Sequence, residues 1–414
     1  MTTPVRSPAF LIAAVCGAQA FAQLGAFTFF ALLPTFFAEW GLTHSQAGTL
    51  NGMIFGAYAL AVPFIVPLSD RIDPKRIYVC AVALTTFSHL GMAFIAEGFW
   101  TGFLFRFLAG VGWGGTYMVG LKALADLIEG PAQSRAVAFH AASIGMSGAL
   151  SFVLAGWSAN LFGWQGAFQV SALGSCVAFL LMAVFVPARA QVPAADGFRG
   201  PKAFFQALKN RSAMAYSIGY CVHTWEMFTV RSWVVTFLVF TAAQSGTKPN
   251  FLIPTVVAMI MELVGTAASV FGNEAAIRFG RRHWVLLVMS LSMIAGAAVG
   301  FTAGLGYGVA ATVCLIYNVL IYADSATLTA GAVGTAEPGR RGATLAVHGM
   351  LGYAGGFVGP LALGIILDVL GGETVMNWGI GFAHLAVIMV AGPLAIKILK
   401  PRSLAGDRDA ARSP

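Results

Sequence analysis

Three ionisable residues, His223, Glu226 and Arg231, fall within nine positions of the otherwise uncharged run AMAYSIGYCVHTWEMFTVRSWVVTFLVFTA. Each has its own chemistry. A glutamate can take up and release a proton, and an imidazole can do so near neutral pH. A guanidinium grips a carboxylate or similar planar anion through two parallel hydrogen bonds. At about 100° per residue, Glu226 and Arg231 project roughly 140° apart on a helix, with about 7.5 Å of rise between them. They are not an i,i+4 pair, so each needs a partner on another helix or in a water-filled cavity.

Further polar residues recur in other apolar runs. Glu262, Thr266, Ser269 and Asn273 form one stripe at helical spacing. Asn318 shares a face with Tyr322 and Ser325, and Asp324 lies on another; Gln19 and Gln23 are one turn apart, and Arg106 stands alone in its run. Glu226, Arg231 and Glu262 all come near the middle of their runs. Two readings follow: a lining of a central pathway, or bridges that hold helices together. His89 and His384 read as packed or interfacial, and His140 and His348 as duplicated structural positions. Lys122, Asp126, Glu129 and Arg135 read as a solvated charge network at one helix end.

The runs that carry these residues set the class of protein. Of 414 residues 58% are hydrophobic and 10% charged, against roughly 25% charged in soluble domains. Apolar stretches near the bilayer-spanning length of about 20 residues recur twelve times, at 9–38, 46–67, 77–96, 99–121, 136–160, 165–187, 213–241, 251–273, 284–302, 305–330, 343–369 and 377–398. None alternates like a membrane strand, so a helix bundle is expected. Cys16, Cys80, Cys176, Cys221 and Cys314 have no paired spacing and read as small buried hydrophobes. Arg6 and AQAFA resemble a signal peptide with its cleavage site, yet the apolar run continues through Phe37, so the first span is read as retained.

With the N-terminus inside, 21 of the 24 Lys and Arg fall at cytoplasmic helix ends; Lys248 is outside, and Arg106 and Arg231 are within spans. That bias supports a cell (inner) membrane protein with both termini cytoplasmic. The net charge of +8 is then a topology signal and calls for no nucleic-acid partner. The chain also repeats itself. SDRIDPKR (69–76) and IRFGRRH (277–283) join corresponding spans, with Arg71 and Arg278 207 residues apart; GWQGAF and NWGIGF place Trp164 and Trp378 214 apart. The expected architecture is an all-α integral membrane protein of 12 transmembrane helices in two pseudo-symmetric halves, residues 1–187 and 213–400. A cytoplasmic linker (188–212) joins them and a tail (401–414) follows.

The loop after the second span resembles the major facilitator superfamily motif Gly-x-x-x-Asp-Arg-x-Gly-Arg-Arg: Asp70, Arg71, Lys75 and Arg76 match in type, with Val66 and Asp73 at the glycine positions. The second copy keeps Arg278, Gly280, Arg281 and Arg282 but has Ile277 where the Asp would stand. RFLAGVGWGG (106–115) resembles the family's fourth-span Arg-x-x-x-Gly motif. The Gly-Pro of many antiporters is missing from the fifth span, and GYAGGFVGP (352–360) occurs instead in the eleventh. The resemblance covers essentially the whole chain. It implies the superfamily fold and a latch role for Asp70, Arg71, Arg278 and Arg281; a plain solvated loop pair is the alternative at Asp70. Glycines 110, 114, 352, 355, 356 and 359 are spaced for close helix approach.

Taken together, these features point to a secondary active transporter working by alternating access. Proton coupling through Glu226 or Glu262 is expected, with a small organic anion held by Arg231 and Arg106. Proton-driven efflux of hydrophobic or cationic compounds is the alternative; a transporter-fold sensor is a remote one. No phosphate-cradling loop, metal-ligand spacing or nucleophile–base set occurs in the sequence, so no enzyme, cofactor or metal is expected. The expected partners are the solute, protons and the bilayer, around a monomer.

Overall fold

The computed structural model describes residues 7–128, 131–188, 200–246, 252–337, 340–404 and 407. Glu129, Lys248, residues 189–199 of the linker and most of the tail lie outside the described residues. The first expected span is broken into α1 (Pro8–Ala22), α2 (Thr28–Ala31) and α3 (Leu33–Trp40); α4 (His44–Leu68) and α5 (Pro74–Phe94) are single helices. The fourth span is α6 (Phe99–Gly114) and α7 (Tyr117–Leu127). The fifth and sixth run together as α8 (Pro131–Leu180), turned at Gly163, whose φ of 73° suits glycine. After the short α9 (Gly200–Leu208) come α10 (Arg211–Gln244), α11 (Leu252–Phe279), α12 (Arg281–Val299), α13 (Tyr307–Tyr322), α14 (Ser325–Gly334), α15 (Arg341–Val369), α16 (Val375–Met389) and α17 (Ala391–Leu399).

Among the described residues nine helical stretches are long and apolar enough to cross a membrane. The twelve spans are reached because α8 holds two of them, while the first and fourth are divided into shorter pieces. The fold is all-α, with twelve membrane-crossing segments. Its outer faces are apolar: Phe64 and Trp100 are each 78% exposed, tolerable in lipid and not in water. The same fact corrects the cysteine expectation. Cys80 and Cys176 are exposed, Cys16 and Cys221 half-buried, and only Cys314 is buried. A small hydrophobe need not be buried when the solvent is hydrocarbon.

The chain divides into two compact units, residues 1–32 with 60–197, and 33–59 with 198–414. In the first, α1, α5, α7 and α8 enclose a core around Val15, Tyr78, Val82, Val119 and Met182. The second unit is built around α10. Within the protein 78% of the apolar window of α10 is buried, against 33–50% for the other spanning stretches. The mid-helix charges of α10, His223, Glu226 and Arg231, therefore face protein, not lipid. Glycines make this possible: a Cβ at Gly355 would lie 2.2 Å from the Cys221 carbonyl, and one at Gly359 2.5 Å from that of Trp225. Thr224 exploits the close approach and donates to the Gly352 carbonyl across the α10–α15 contact at 2.6 Å.

Two helix breaks echo the repeat. The fourth span opens between α6 and α7 at Gly115–Thr116 and the tenth between α13 and α14 at Ala323–Asp324, near the 207-residue offset of the loop motif. At the second break Trp284 Nε1 donates to the freed Ala323 carbonyl at 2.9 Å, which gives that acceptor a partner.

Candidate functional site

The second unit holds two separate polar centres at the level of α10's charges. In the first, Arg231 Nε and Nη2 donate to Glu262 Oε1 and Oε2 of α11 at 2.6 and 2.7 Å. This is a two-pronged pair of the strong, geometrically selective kind. Arg231 Nη2 also contacts the Tyr322 hydroxyl, which itself donates to Glu262 Oε2 at 3.2 Å. The guanidinium lies 5.1 Å from the Phe228 ring centre and 5.8 Å from that of Tyr322. Tyr322 reaches this point because α11 carries Gly265 one turn beyond Glu262. A Cβ there would stand 2.8 Å from the tyrosine ring and 2.9 Å from Asn318 Nδ2. Asn318 in turn donates to the Met261 carbonyl at 2.6 Å, tying α13 to α11.

The second centre is deeper. Glu226 is 1% exposed. Its Oε1 accepts from Ser292 of α12 at 2.8 Å and from Tyr317 of α13 at 2.7 Å, while Oε2 is buried with no hydrogen-bond partner. Here too a glycine makes room: a Cβ at Gly296 would come within 2.6 Å of the Tyr317 hydroxyl. One turn back along α10, His223 Nδ1 lies 2.8 Å from Asp324 Oδ1. That is ion-pair distance, off the line a hydrogen bond requires. Asp324 stands at the N-cap position of α14 without a side-chain capping bond, so the broken helix places it at depth.

Five of the polar residues singled out in the second unit, His223, Glu226, Arg231, Glu262 and Asp324, thus pair across helices, and Asn318 braces them. Ser292 and Tyr317 complete the set. Nothing in their local sequence marks them, since both read as ordinary positions on apolar helices. In the first unit Tyr78 donates to Gln19 at 3.2 Å, Gln23 is buried, and Arg106, 1% exposed, lies over the Phe29 and Phe30 rings at 5.4 and 5.3 Å. Of the two histidines read as packed or interfacial, His89 is buried and His384 half-buried. His384 accepts from Trp225 at 3.1 Å. His140 stacks on Tyr117 and His348 on Tyr220. Among the described residues no cluster of three or more His, Cys, Asp or Glu could hold a metal ion.

The loop motifs differ between the halves. Asp70 lies 3.6 Å from Lys122, which also pairs with Asp126 at 3.3 Å; such half-exposed pairs contribute about 1 kcal/mol or less. Arg71 is exposed, and Arg278 pairs along its own helix, with Glu274 at 2.9 Å. Arg281 is different. Its side chain is 5% exposed, and its Nε and Nη2 donate to Asp407 Oδ2 and Oδ1 at 2.9 and 3.0 Å. Its Nη1 donates to Asn273 and to the Thr327 carbonyl, both at 3.1 Å. A carboxylate from the tail thus meets the basic loop whose own Asp is replaced by Ile277. Asp407→Asn, which leaves the buried guanidinium without its counter-charge, is expected to lower stability by about 2 kcal/mol. Thermal unfolding of the purified variant checks this.

The sequence profile of the Major Facilitator Superfamily matches residues 15–360. The chain belongs to that superfamily. Three superfamily relatives are each similar over part of their length. The chain is 25% identical over 285 residues to a Haemophilus influenzae protein named for metabolite transport, covering 62% of this chain and 64% of that one. It is 27% identical over 184 residues to a probable 4-methylmuconolactone transporter of Cupriavidus pinatubonensis, covering 44% and 42%. It is 26% identical over 180 residues to a gentisate transporter of Corynebacterium glutamicum, covering 42% and 40%. The matched stretches thus span less than two thirds of each relative. Among solved structures, a bacterial homologue of the human lysosomal transporter Spinster superposes with a TM-score of 0.75 over 96% of both chains at 17% identity, which shows the superfamily fold.

Proposed function

We propose that the protein carries a small organic anion across the membrane by alternating access, coupled to a proton, with Arg231 as the anion's anchor. The supporting observation is the Arg231–Glu262 pair itself. Glu262 occupies the guanidinium fork as a substrate carboxylate would, beside the flat faces of Phe228 and Tyr322. A substrate that takes the fork displaces Glu262, leaving a second carboxylate in a site where Glu262 is 6% exposed. Burial of an uncompensated charge is costly, so a proton taken up by the site offsets the extra negative charge. Glu226, whose Oε2 is buried without a donor, offers a place for that proton. The relatives named for gentisate and 4-methylmuconolactone, small ring compounds that carry a carboxylate, fit the same reading.

In this reading the basic loops and both termini face the cytoplasm of a cell membrane, and the transporting halves are residues 1–187 and 213–400. Thermal shift of the purified protein tests the substrate class. Small carboxylates at a hundred times their Kd are expected to stabilise the fold by about 2.7 kcal/mol, while the matching amides give no shift. A shift by lipophilic cations with none by any acid would overturn the anion reading in favour of efflux.

A further inference from the structure

The first turn of α4 is capped by a residue 324 positions away. The Asp368 carboxylate, at the end of α15, accepts from the His44 backbone N–H at 2.9 Å (Oδ1) and from that of Ser45 at 2.8 Å (Oδ2). The His44 ring adds a third bond, with Nδ1 2.9 Å from Asp368 Oδ1, and its Nε2 lies 3.7 Å from Glu373 Oε1. The ring also lies against Phe37 and Trp233, neither of which titrates. Asp368 and Glu373 are thus the ionisable groups that act on His44.

Beneath this cluster the two helices touch through backbone. A Cβ at Gly364 would stand 2.2 Å from the His44 carbonyl, one at Gly48 2.3 Å from that of Pro360, and one at Gly52 2.4 Å from that of Phe357. Trp233 of α10 donates to the Pro360 carbonyl at 3.0 Å, and Asn51 of α4 to the Ser232 carbonyl at 3.2 Å. Residues 33–59 accordingly group with residues 198–414, although a long stretch of chain separates them. Smooth backbone contact of this kind can close tightly, but it holds no charge and responds to nothing. The polar cluster at its rim is the part that can be switched.

We propose that His44, Asp368 and Glu373 form a proton-operated clasp that holds the start of α4 against the end of α15. With both ring nitrogens protonated, the imidazolium donates to Asp368 through Nδ1 and faces Glu373 with a second N–H. Loss of the Nε2 proton keeps the Asp368 bond but turns a lone pair towards the Glu373 carboxylate, and the clasp loosens. The proton goes to or comes from the solvent that reaches these groups, whose side chains are 19–29% exposed. The clasp rests on the transporter reading only in its consequence. If α4 must leave α15 to open the outer face, acid on that side slows opening whatever the substrate.

Amide hydrogen exchange of the full chain in lipid nanodiscs, corrected for intrinsic rates, tests this without any substrate. From about pH 5 to about pH 8, where histidine changes charge, protection across the first turns of α4 is expected to fall roughly three- to tenfold. Protection of α12 should stay constant. His44→Gln should flatten the pH dependence, Glu373→Gln should reduce it, and Asp368→Asn should lower protection at every pH, because the cap itself is weakened. A wild-type profile that is flat, or a His44→Gln profile that keeps the full change, overturns the clasp and reduces the cluster to a helix cap. Neither result touches the assignment of Arg231, which is read by ligand binding.

Discussion

Arg231→Lys is expected to fold and reach the membrane yet bind substrate about ten- to a hundredfold more weakly. Lysine keeps the charge but loses the planar two-pronged grip, and a lost hydrogen bond to a charged group costs roughly 1.5–3 kcal/mol. Titration of the purified variant with the best carboxylate ligand, alongside uptake in proteoliposomes, reads the change. Arg231→Ala is a harsher test, because it leaves Glu262 buried and unpaired. Breaking a buried pair on one side costs about 3–5 kcal/mol, so that variant should express poorly. Removing both charges, in Arg231→Ala with Glu262→Gln, should restore folding, since no uncompensated carboxylate remains. The double variant separates the two roles of the arginine. If the pair only braces α10 against α11, the stable double variant transports nearly normally; if Arg231 anchors the anion, it folds and does not transport. A folded double variant with unchanged affinity would end the anchor assignment.

Glu226→Gln is expected to abolish pH-driven accumulation while leaving exchange of substrate across the membrane intact. The amide oxygen can still accept from Ser292 and Tyr317, which hold Oε1 in the native protein at 2.8 and 2.7 Å. The amide nitrogen replaces the oxygen that has no donor. The variant therefore resembles a permanently neutral Glu226 and should fold. A carrier locked in that state completes the half-cycle that swaps one substrate for another, but cannot release a proton to drive net movement. The measurement is paired: uptake into proteoliposomes under an imposed pH gradient, and counterflow with no gradient. Accumulation that persists in Glu226→Gln moves the coupling proton elsewhere, with Glu262 and then Asp324 as the next positions to neutralise.

How far the sequence reached can be judged from particular residues. The spacing on α10 ruled out pairing between Glu226 and Arg231, because side chains five residues apart diverge around a helix. It could not choose the true partner. Glu262 and Asp324 were equally available acids on other spans, and the contact between α10 and α11, with Gly265 admitting Tyr322, gave Arg231 the first and left the second to His223. Ser292 and Tyr317 were invisible, since a lone serine or tyrosine on an apolar helix has many uses. Asp407 lay in a polar tail with no pattern, and its meeting with Arg281 depends on how the chain turns after α17.

The amino-acid sequence by itself determined the class of the protein, its helical runs and its repeat, because hydrocarbon penalises unpaired backbone and charge so heavily that a span must declare itself locally. Gly352, Gly355, Gly356 and Gly359 of α15 were also legible as a spacing, while Gly48, Gly52, Gly265, Gly296 and Gly364 were not. Only the tertiary structure decided which charge meets which, where helices break and why residues 33–59 join a unit made mostly from the other end of the chain. Those outcomes depend on contacts between residues up to 324 positions apart, as between His44 and Asp368. Helix periodicity carries no information at that range, and the packing of backbone against glycine supplies it.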